Sequence, residues 1–344
     1  MRIAVATIAK NEEQFVQRWA DSCIEADHRI ILDTGSTDNT VKVASELGVT
    51  VASQVFTPWR FDHARNYAMS LIPDDVDYVV WLDMDEVLQP GWRSALEQAT
   101  TTRPRYKYVW SWNDDGSEGL VYGGDKIHAR HGYVWHHPVH EVLKAKDVEE
   151  TQEYLEGLVI HHYPDKHKSR AQYLPLLELA VAENPDDDRN QFYLAREYFF
   201  NGMNHKAVVH FLKHLELSSW KPERAASHRY LAKIDQPQAL FHLYRAIAED
   251  TTRRESWVDL AQFYYGQQNW PMCYTTALTA VGFVNKPLDY LCEAYAWGWL
   301  PEDLLALSCW HLGRKDEAIR HGLQAVSLNP TDSRLQENLK FYVS

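Results

Sequence analysis

The segment Tyr78-Val-Val-Trp-Leu-Asp-Met-Asp-Glu86 decides the fold of the first part of the chain. Its first five residues form a short apolar run, which is typical of a strand buried on both faces of a parallel sheet. Asp83 and Asp85 follow at once, so the strand ends in two carboxylates. Ligands of such sheets bind beyond the carboxyl ends of the strands. A carboxylate pair there suits a hard cation such as Mg²⁺ or Mn²⁺, although an acidic pair alone often only caps a helix.

Apolar runs and helix-like spacing alternate on both sides of this segment. We predict strands at Arg2–Ile8, Arg29–Leu32, Val49–Ser53 and Tyr78–Leu82, and helices at Glu12–Cys23, Thr37–Leu47, Asp62–Leu71 and Gln89–Ala99. This alternation predicts a parallel α/β sheet. From Arg103 to Tyr163 the pattern changes to aromatic strands, Gly turns and many His residues, which predicts a mixed, partly antiparallel extension of the sheet.

Beyond Ser169 the sequence is helical and repeats itself. Small and aromatic residues recur at the spacing of tetratricopeptide repeats, in about four helix pairs that start near 188, 220, 254 and 299, with an insertion around 283–298. Such pairs bury their apolar faces only by stacking. We therefore predict an α/β domain at 1–168 and an all-α repeat domain at 169–344, which is either a scaffold or a peptide-binding groove.

Composition limits the environment and the partners of the protein. The 48 acidic residues outnumber the 35 Lys and Arg residues, for a net charge of −13, so any contact with nucleic acid must be local. The four cysteines form no CxxC pair and are expected to be buried thiols. No apolar stretch is long enough for a membrane span, and the N-terminus does not resemble a signal peptide. We expect a soluble, cytoplasmic protein without membrane insertion.

Two further stretches have candidate functional residues. Asp33 ends a predicted strand before Gly35, where its carboxylate can accept a hydrogen bond from a nucleoside; Ser36, Thr37 and Asp38 are interpreted as turn and cap residues. Gly123-Gly124 is interpreted as a loop through which the backbone approaches a ligand. The His-rich stretch 136–141 follows and ends with Glu141.

Four motifs in order resemble glycosyltransferase family 2 of the GT-A fold, in particular the subgroup with tetratricopeptide repeats behind the catalytic domain. They are Ala9-Lys10-Asn11-Glu12-Glu13, Asp33-Thr34-Gly35-Ser36-Thr37-Asp38, Phe61-Asp62-His63-Ala64-Arg65-Asn66 and Asp83-Met84-Asp85-Glu86. The resemblance covers nearly the whole chain and extends to bacterial and bacteriophage members. It implies a GT-A, Rossmann-like domain that binds a nucleotide sugar, here expected to be a UDP-sugar, together with Mn²⁺ or Mg²⁺.

The resemblance also implies roles for individual residues. The nucleotide-sugar donor is expected to contact Thr7, Ala9, Glu12, Asp33, Arg65, Asp83, Met84 and Gly124. The metal is expected on Asp85 and on His161 or His162, and Glu141 resembles the general base of an inverting transfer. Asp115 and Glu118, on a Gly-containing loop, compete with Glu141 for the role of base. Glu141 is alternatively a structural ion-pair partner of Lys144 or Arg130.

The function predicted from the sequence is a metal-dependent, inverting hexosyl- or pentosyltransferase that acts on a macromolecule, either a glycan, a protein or modified DNA. One alternative is a bacteriophage-type enzyme that glycosylates 5-hydroxymethylated DNA bases. Basic residues that would hold a phosphate backbone in that case are Arg103, Arg105, Lys107, Lys126, Arg130, Lys144, Lys146, Lys166, Lys168 and Arg170. Another alternative is a binding scaffold with an inactive GT-A domain. A nucleotidyltransferase is disfavoured because Thr7–Asn11 contains no Gly.

Overall fold

The structure, a computed structural model, describes residues 1–113, 115–165 and 171–344. The chain forms two compact units, Met1–Ala180 and Val181–Ser344. The domain boundary predicted between 168 and 169 lies outside the described residues. No helix within the described ranges combines the length and the apolarity needed to cross a bilayer. Cys23, Cys273, Cys292 and Cys309 are free and buried, as predicted.

The first unit combines strands and helices. Its strands are β1 (Ile3–Ala9), β2 (His28–Asp33), β3 (Thr50–Ser53), β4 (Tyr78–Trp81), β5 (Glu86–Leu88), β6 (Arg105–Val109), β7 (Val121–Gly124), β8 (Ile127–Ala129), β9 (Tyr133–His136), β10 (Val142–Ala145) and β11 (Tyr154–His162). Its helices are α1 (Glu13–Ser22), α2 (Thr40–Glu46), α3 (Phe61–Ser70) and α4 (Trp92–Leu96), and α5 (Tyr173–Glu183) spans the division between the units.

A five-stranded sheet in the order β3-β2-β1-β4-β8 forms the centre of the first unit. β1 to β4 are parallel, and β8 adds an antiparallel edge. Alternate residues of β1 enter two different cores: Ile3 and Val5 pack with α1, whereas Ala4 and Ala6 pack with α3. Burial on both faces explains why the strands are continuous apolar runs in the sequence. The predicted α/β fold is confirmed, with strand ends displaced by one residue at most.

The mixed, partly antiparallel extension of the sheet predicted for residues 103–163 is confirmed in part. Among the described strands of this stretch, β8 alone joins the central sheet. β5, β11, β6 and β7 form a separate four-stranded sheet, and β9 and β10 form a hairpin. Two helices are also shorter than predicted: α2 begins at Thr40 rather than Thr37, and α4 has five residues instead of the stretch Gln89–Ala99. Residues 34–39 instead form hydrogen bonds within turns.

The second unit is a stack of helix pairs. The first helices of the pairs are α6 (Asp188–Phe200), α8 (Lys221–Ile234), α10 (Arg254–Gly266) and α13 (Leu300–His311); their partners are α7 (Asn204–Leu217), α9 (Ala239–Glu249), α11 (Trp270–Gly282) and α14 (Lys315–Leu328). The starts agree with the repeat read from the sequence. A short helix, α12 (Ala294–Trp297), lies in the predicted insertion, and α15 (Ser333–Val343) packs on α14.

Candidate active site

The carboxyl ends of β1, β2 and β4 meet at one edge of the central sheet. Ala9, the last residue of β1, pairs with Asp33, the last residue of β2. Just beyond β4, the amide of Leu82 donates to the carbonyl of Ala6 in β1 at 3.1 Å. Asp83 follows directly, so Asp33 and Asp83 extend from the same edge, as the sequence predicts.

The loops after β1 and β2 are tied to each other at this edge. The amide of Asn11 donates to Ser36 Oγ at 2.8 Å, and the amide of Thr37 donates to Asn11 Oδ1 at 2.7 Å. The amide of Glu12 donates to Thr40 Oγ1 at 2.8 Å. Asn11 adopts a positive φ of 56°, a conformation that Asn tolerates better than most residues. These bonds hold the buried Glu12 next to the turn that contains Asp33.

Asp33 shapes the turn that follows it. Its Oδ2 accepts from the amide of Gly35 and its Oδ1 from the amide of Ser36, both at 3.1 Å. Gly35 has a φ of +109°, which explains the glycine at this position. The turn chemistry expected only for residues 36–38 therefore includes Asp33. A carboxylate has about four acceptor sites, so these two bonds leave acceptor capacity at Asp33.

Arg65, on α3, links two carboxylates at the centre of the site. Its Nη2 donates to Asp83 Oδ1 at 2.8 Å and its Nε to Glu141 Oε1 at 2.5 Å. The guanidinium is buried and lies 5.5 Å from the ring centre of Trp81 and 4.9 Å from that of Trp135. Its Nη1 is also buried and has no hydrogen-bond partner among the described residues.

Lys126 completes the pairing of Asp83. Its Nζ lies 2.6 Å from Asp83 Oδ2, so each oxygen of Asp83 accepts from a different cation. Burial by itself would raise the pKa of Asp83, but the charges and hydrogen bonds of Arg65 and Lys126 outweigh burial and lower this pKa far below its usual range. The pKa of Arg65 and of Lys126 is raised, because the nearby carboxylates outweigh the desolvation of both cations. All three groups are therefore charged at neutral pH.

Glu86 lies beneath this network and is almost completely buried. Its Oε1 accepts from the hydroxyl of Tyr108 at 2.6 Å, and its Oε2 accepts from the amide of Asp83 at 2.8 Å. Desolvation raises the pKa of Glu86, despite the opposing charge of Lys126 3.4 Å away. The sequence analysis did not assign Glu86, Tyr108 or Lys126 to the site. The position of Glu86 directly after Asp85 could have indicated that Glu86 belongs to the site. No local sequence pattern indicates this for Lys126.

Glu141 reaches the site from the β9–β10 hairpin, which is docked on α3. Asn66 makes two bonds to the backbone of Trp135 in β9: its Oδ1 accepts from the amide at 2.9 Å, and its Nδ2 donates to the carbonyl at 2.8 Å. The amide of Phe61 donates to the carbonyl of Pro138 at 3.0 Å. Glu141 immediately precedes β10 and pairs with Arg65, rather than with Lys144 or Arg130. The structural partner suggested by the sequence was therefore wrong.

Asp85 and His162 form a second cluster at this edge. β11 runs antiparallel to β5 and brings His162 opposite Glu86. His162 Nε2 lies 3.3 Å from Asp85 Oδ2, and its Nδ1 lies 2.8 Å from the carbonyl oxygen of Trp110. Burial lowers the pKa of His162, but the hydrogen bond and charge of Asp85 outweigh it and raise this pKa overall.

His161 lies next to a different group of side chains. Its Nδ1 is 3.3 Å from the hydroxyl of Tyr163, and its ring packs edge-on against Trp112 at 4.8 Å. Successive residues of a strand point to opposite faces, so His161 and His162 diverge. Of the two histidines, the structure brings His162 to Asp85.

The other predicted donor contacts have mainly structural partners. Thr7 is completely buried, Met84 is part of the hydrophobic core, and the carbonyl of Ala9 accepts from the amide of Thr34 at 2.8 Å. Gly123-Gly124 lies in β7 and not in a loop, so that prediction was wrong. At Gly124 a Cβ atom would overlap the ring of Tyr106, which explains the glycine by close packing.

Five of the seven described basic residues considered for DNA binding have acidic or carbonyl partners. The ion pairs are Arg103 with Asp125 and Glu150, Lys107 with Glu118, Lys126 with Asp83, and Arg130 with Asp74. Arg105 donates to the carbonyls of Gly123 and Gly124, whereas Lys144 and Lys146 are exposed. Lys166, Lys168 and Arg170 lie outside the described residues.

Asp115, the alternative base, caps its own turn. Its Oδ1 accepts from the amide of Ser117 at 2.9 Å and from the hydroxyl of Ser117 at 2.5 Å. These two bonds lower the pKa of Asp115. It is the carboxyl group of Glu141, not that of Asp115, that contacts Arg65.

Comparisons with known proteins found similar solved structures and one matching family model. Solved structures similar to the chain include MamA, with 16% identity and a TM-score of 0.38 over 50% of this chain and 99% of that one. A second is a thermophilic TPR protein of Thermus thermophilus, with 17% identity and a TM-score of 0.35 over 49% of this chain and 88% of that one. A third is pilF of Pseudomonas aeruginosa, with 19% identity and a TM-score of 0.37 over 45% of this chain and 67% of that one.

The match of the N-terminal unit is to a family model. Residues 4–123 match the model of glycosyl transferase family 2. The matched segment contains Asp33, Arg65, Asp83 and Asp85, whereas Lys126, Glu141 and His162 follow it. Residues 4–123 of the N-terminal unit are therefore similar to glycosyl transferase family 2, and a stack of helix pairs follows this unit.

Proposed function

We propose that the chain is a metal-dependent, inverting glycosyltransferase that moves a hexose or pentose from a nucleotide-diphosphate donor, most simply a UDP-sugar, to a hydroxyl group of a macromolecule. The observation that carries this proposal is the convergence of Asp33, the Arg65–Asp83–Lys126 network and the Asp85–His162 pair on one sheet edge. The family match supports the reaction class. Ligands of α/β sheets bind at such an edge.

The Asp85–His162 pair fits Mn²⁺ or Mg²⁺. A carbonyl oxygen only accepts hydrogen bonds, so His162 Nδ1 carries the hydrogen toward Trp110, and Nε2 of the neutral ring presents a lone pair to Asp85. Two acceptors 3.3 Å apart require a proton or a cation between them. The described residues contain no group of three or more His, Cys, Asp or Glu side chains arranged for a metal, so donor oxygens and water would complete the shell. When bound, the cation would neutralise charge on the departing diphosphate.

Three groups of the chain suit the nucleotide sugar itself. Asp33, with acceptor capacity left, is placed to accept from the nucleoside. Arg65 Nη1 is a buried donor without a protein partner among the described residues, and it suits a phosphate or sugar oxygen. Asp83 is held rigidly by two cations and suits a sugar or ribose hydroxyl. Such fixed charges need no rearrangement as the reaction proceeds.

Glu141 is the base in this proposal. Its Oε1 is fixed by Arg65, which also fixes Asp83, so the carboxylate is positioned relative to the donor site. A carboxylate so oriented can take the acceptor proton as the glycosidic bond to the diphosphate breaks. Asp115 remains the alternative, although its charge is used to close its own turn.

The experiment is a screen of nucleotide sugars for metal-dependent release of nucleoside diphosphate, followed by candidate glycan, protein and 5-hydroxymethylated DNA acceptors. Asp85→Asn should abolish turnover with the responding donor, whereas Asp147→Asn, a matched change at an exposed aspartate, should retain it. Turnover that survives EDTA and Asp85→Asn would remove the metal from the proposal. The pairing of Arg103, Lys107, Lys126 and Arg130 argues against the DNA acceptor, because these four cations already have carboxylate partners and are not free for phosphates.

A further inference from the structure

The solvent exposure of the insertion between α11 and α13 decreases along the chain. Val284 is 80% exposed and Leu288 54% exposed, whereas Leu291, Cys292 and Ala296 are buried. Residues 289–297, here called the clasp segment, therefore pack closely against the second unit. Only the short helix α12 gives this stretch regular structure, so its position depends on side-chain contacts.

The clasp segment lies across the first helices of three consecutive pairs. The ring of Tyr290 stacks on Tyr193 of α6, with 6.2 Å between ring centres and 15° between planes, and its hydroxyl donates to Glu223 of α8. Trp297 Nε1 donates to Glu255 Oε1 of α10 at 2.6 Å. Repeat proteins recognise ligands across consecutive repeats in this way.

Two arginines on this face form ion pairs with the clasp segment, and Arg229 also pairs with Asp259 of α10 at 2.7 Å. Arg253, which immediately precedes α10, binds Asp289 with both terminal nitrogens, at 3.0 and 2.7 Å. Arg229 of α8 contacts Glu293 Oε1 at 2.7 Å and also donates to the hydroxyl of Tyr295. Both arginines are 3% exposed, whereas the side chains of Asp289 and Glu293 are 21% and 37% exposed, so each ion pair joins a buried cation to a partly exposed carboxylate. A buried cation that loses its partner carries a large desolvation cost.

Glu255 of α10 extends the same surface. It is completely buried, accepts from the amide of Glu293 at 3.1 Å and from Trp297, and its Oε2 has no partner among the described residues. Burial raises the pKa of Glu255. The first-helix face thus offers buried cations for carboxylates, a stacking ring for an aromatic residue and an acceptor for an indole or amide N–H. This combination matches an extended, acidic and aromatic peptide.

We propose that the face formed by α6, α8 and α10 is a peptide-recognition groove for extended segments bearing carboxylates and aromatic rings, occupied in this chain by its own clasp segment. The segment acts as an internal ligand and excludes other peptides of the same chemistry while it is docked. This site lies within the second unit and does not depend on the proposed glycosyl transfer.

The test uses the full chain and a labelled synthetic peptide with the sequence of residues 286–297, in which Cys292→Ser prevents oxidation. The emptied variant combines Asp289→Ala, Tyr290→Ala and Glu293→Ala, which removes the contacts that these three side chains make with Arg253, Tyr193 and Arg229. Fluorescence anisotropy should show saturable binding to this variant and at least about tenfold weaker binding to the wild type, because the tethered segment competes. A peptide with Glu293→Lys is the matched control and should bind the emptied variant about tenfold more weakly or worse.

Two results would overturn the proposal: equal binding of the peptide to the wild type and the folded emptied variant, or no binding to either. If the emptied variant does not fold, as judged by circular dichroism, Asp289→Asn with Glu293→Gln replaces it. These changes keep the shape of the side chains and remove the two charges that the clasp segment presents to Arg253 and Arg229, while Asp250 and Asp259 stay beside these arginines. The peptide should then bind this variant more tightly than the wild type, and failure to do so rejects a groove that recognises carboxylates.

Discussion

Replacement of Arg65 by Met tests whether the charged network holds the candidate site together. Arg65 makes charge-assisted bonds of 2.8 Å to Asp83 and 2.5 Å to Glu141, and it is 3% exposed. Bonds to charged partners contribute about 1.5–3 kcal/mol each, so their loss costs about 3–6 kcal/mol before relaxation. Methionine refills part of the space beside Trp81 and Trp135, so we expect Arg65→Met to lower the free energy of unfolding by about 3–5 kcal/mol.

Because the chain has two units, a single global transition would mix their stabilities. We would therefore measure hydrogen exchange at the most protected amides of β1 and β4, which reports the opening free energy of the first unit. The matched control is Lys107→Met, which breaks an ion pair with Glu118 between side chains that are 34% and 37% exposed and should cost less than about 1 kcal/mol. If Arg65→Met costs no more than the control, the network does not stabilise the unit.

Three further predictions concern single groups. Glu141→Gln should keep its donor affinity in calorimetry and turn over on the order of 10²–10⁴ times more slowly than the wild type. If Glu141→Gln turns over normally and Asp115→Asn loses turnover, Asp115 is the base. Gly124→Ala should lower stability by about 1–3 kcal/mol in the exchange experiment, because its Cβ would meet the ring of Tyr106; an unchanged value would show that the strand shifts without cost. Folding lowers the pKa of Asp83 from its ordinary value of 3.8, so the charged carboxylate stabilises the fold at pH values above 3.8. This stabilisation is lost progressively as the pH falls below 3.8. Wild type should therefore lose more stability than Asp83→Asn between about pH 4 and pH 2, and equal losses would show that Asp83 is not the acid-sensitive group.

The parts of the fold that the sequence predicted well have strong local signals. β4 is an apolar run followed by carboxylates, and the starts of α6, α8, α10 and α13 follow a fixed repeat spacing. Both patterns arise because each element has to bury a defined face. The edge position of Asp33 and Asp83 follows from the parallel order of strands alone.

The parts that were missed depend on contacts between distant residues. Lys126 follows β7 and reaches Asp83, 43 positions away in sequence. Glu141 was named from the sequence, but its contact with Arg65 depends on the docking of the β9–β10 hairpin on α3, which no local pattern encodes. Gly124 resembled a loop residue because glycine is common in loops, yet the ring of Tyr106 requires it in a strand.

The proposed role of Asp85 and His162 is to hold a divalent cation that binds the donor diphosphate. Calorimetric titration of UDP into the full chain, with Mn²⁺ and with EDTA, tests this role and requires neither the acceptor nor the sugar to be known. We predict that the wild type binds UDP at least about tenfold more tightly with Mn²⁺ than with EDTA, since the cation adds a charge contact worth more than about 1.4 kcal/mol. Asp85→Asn and His162→Ala should bind UDP weakly under both conditions. Equal affinity of the wild type in Mn²⁺ and in EDTA would contradict the account.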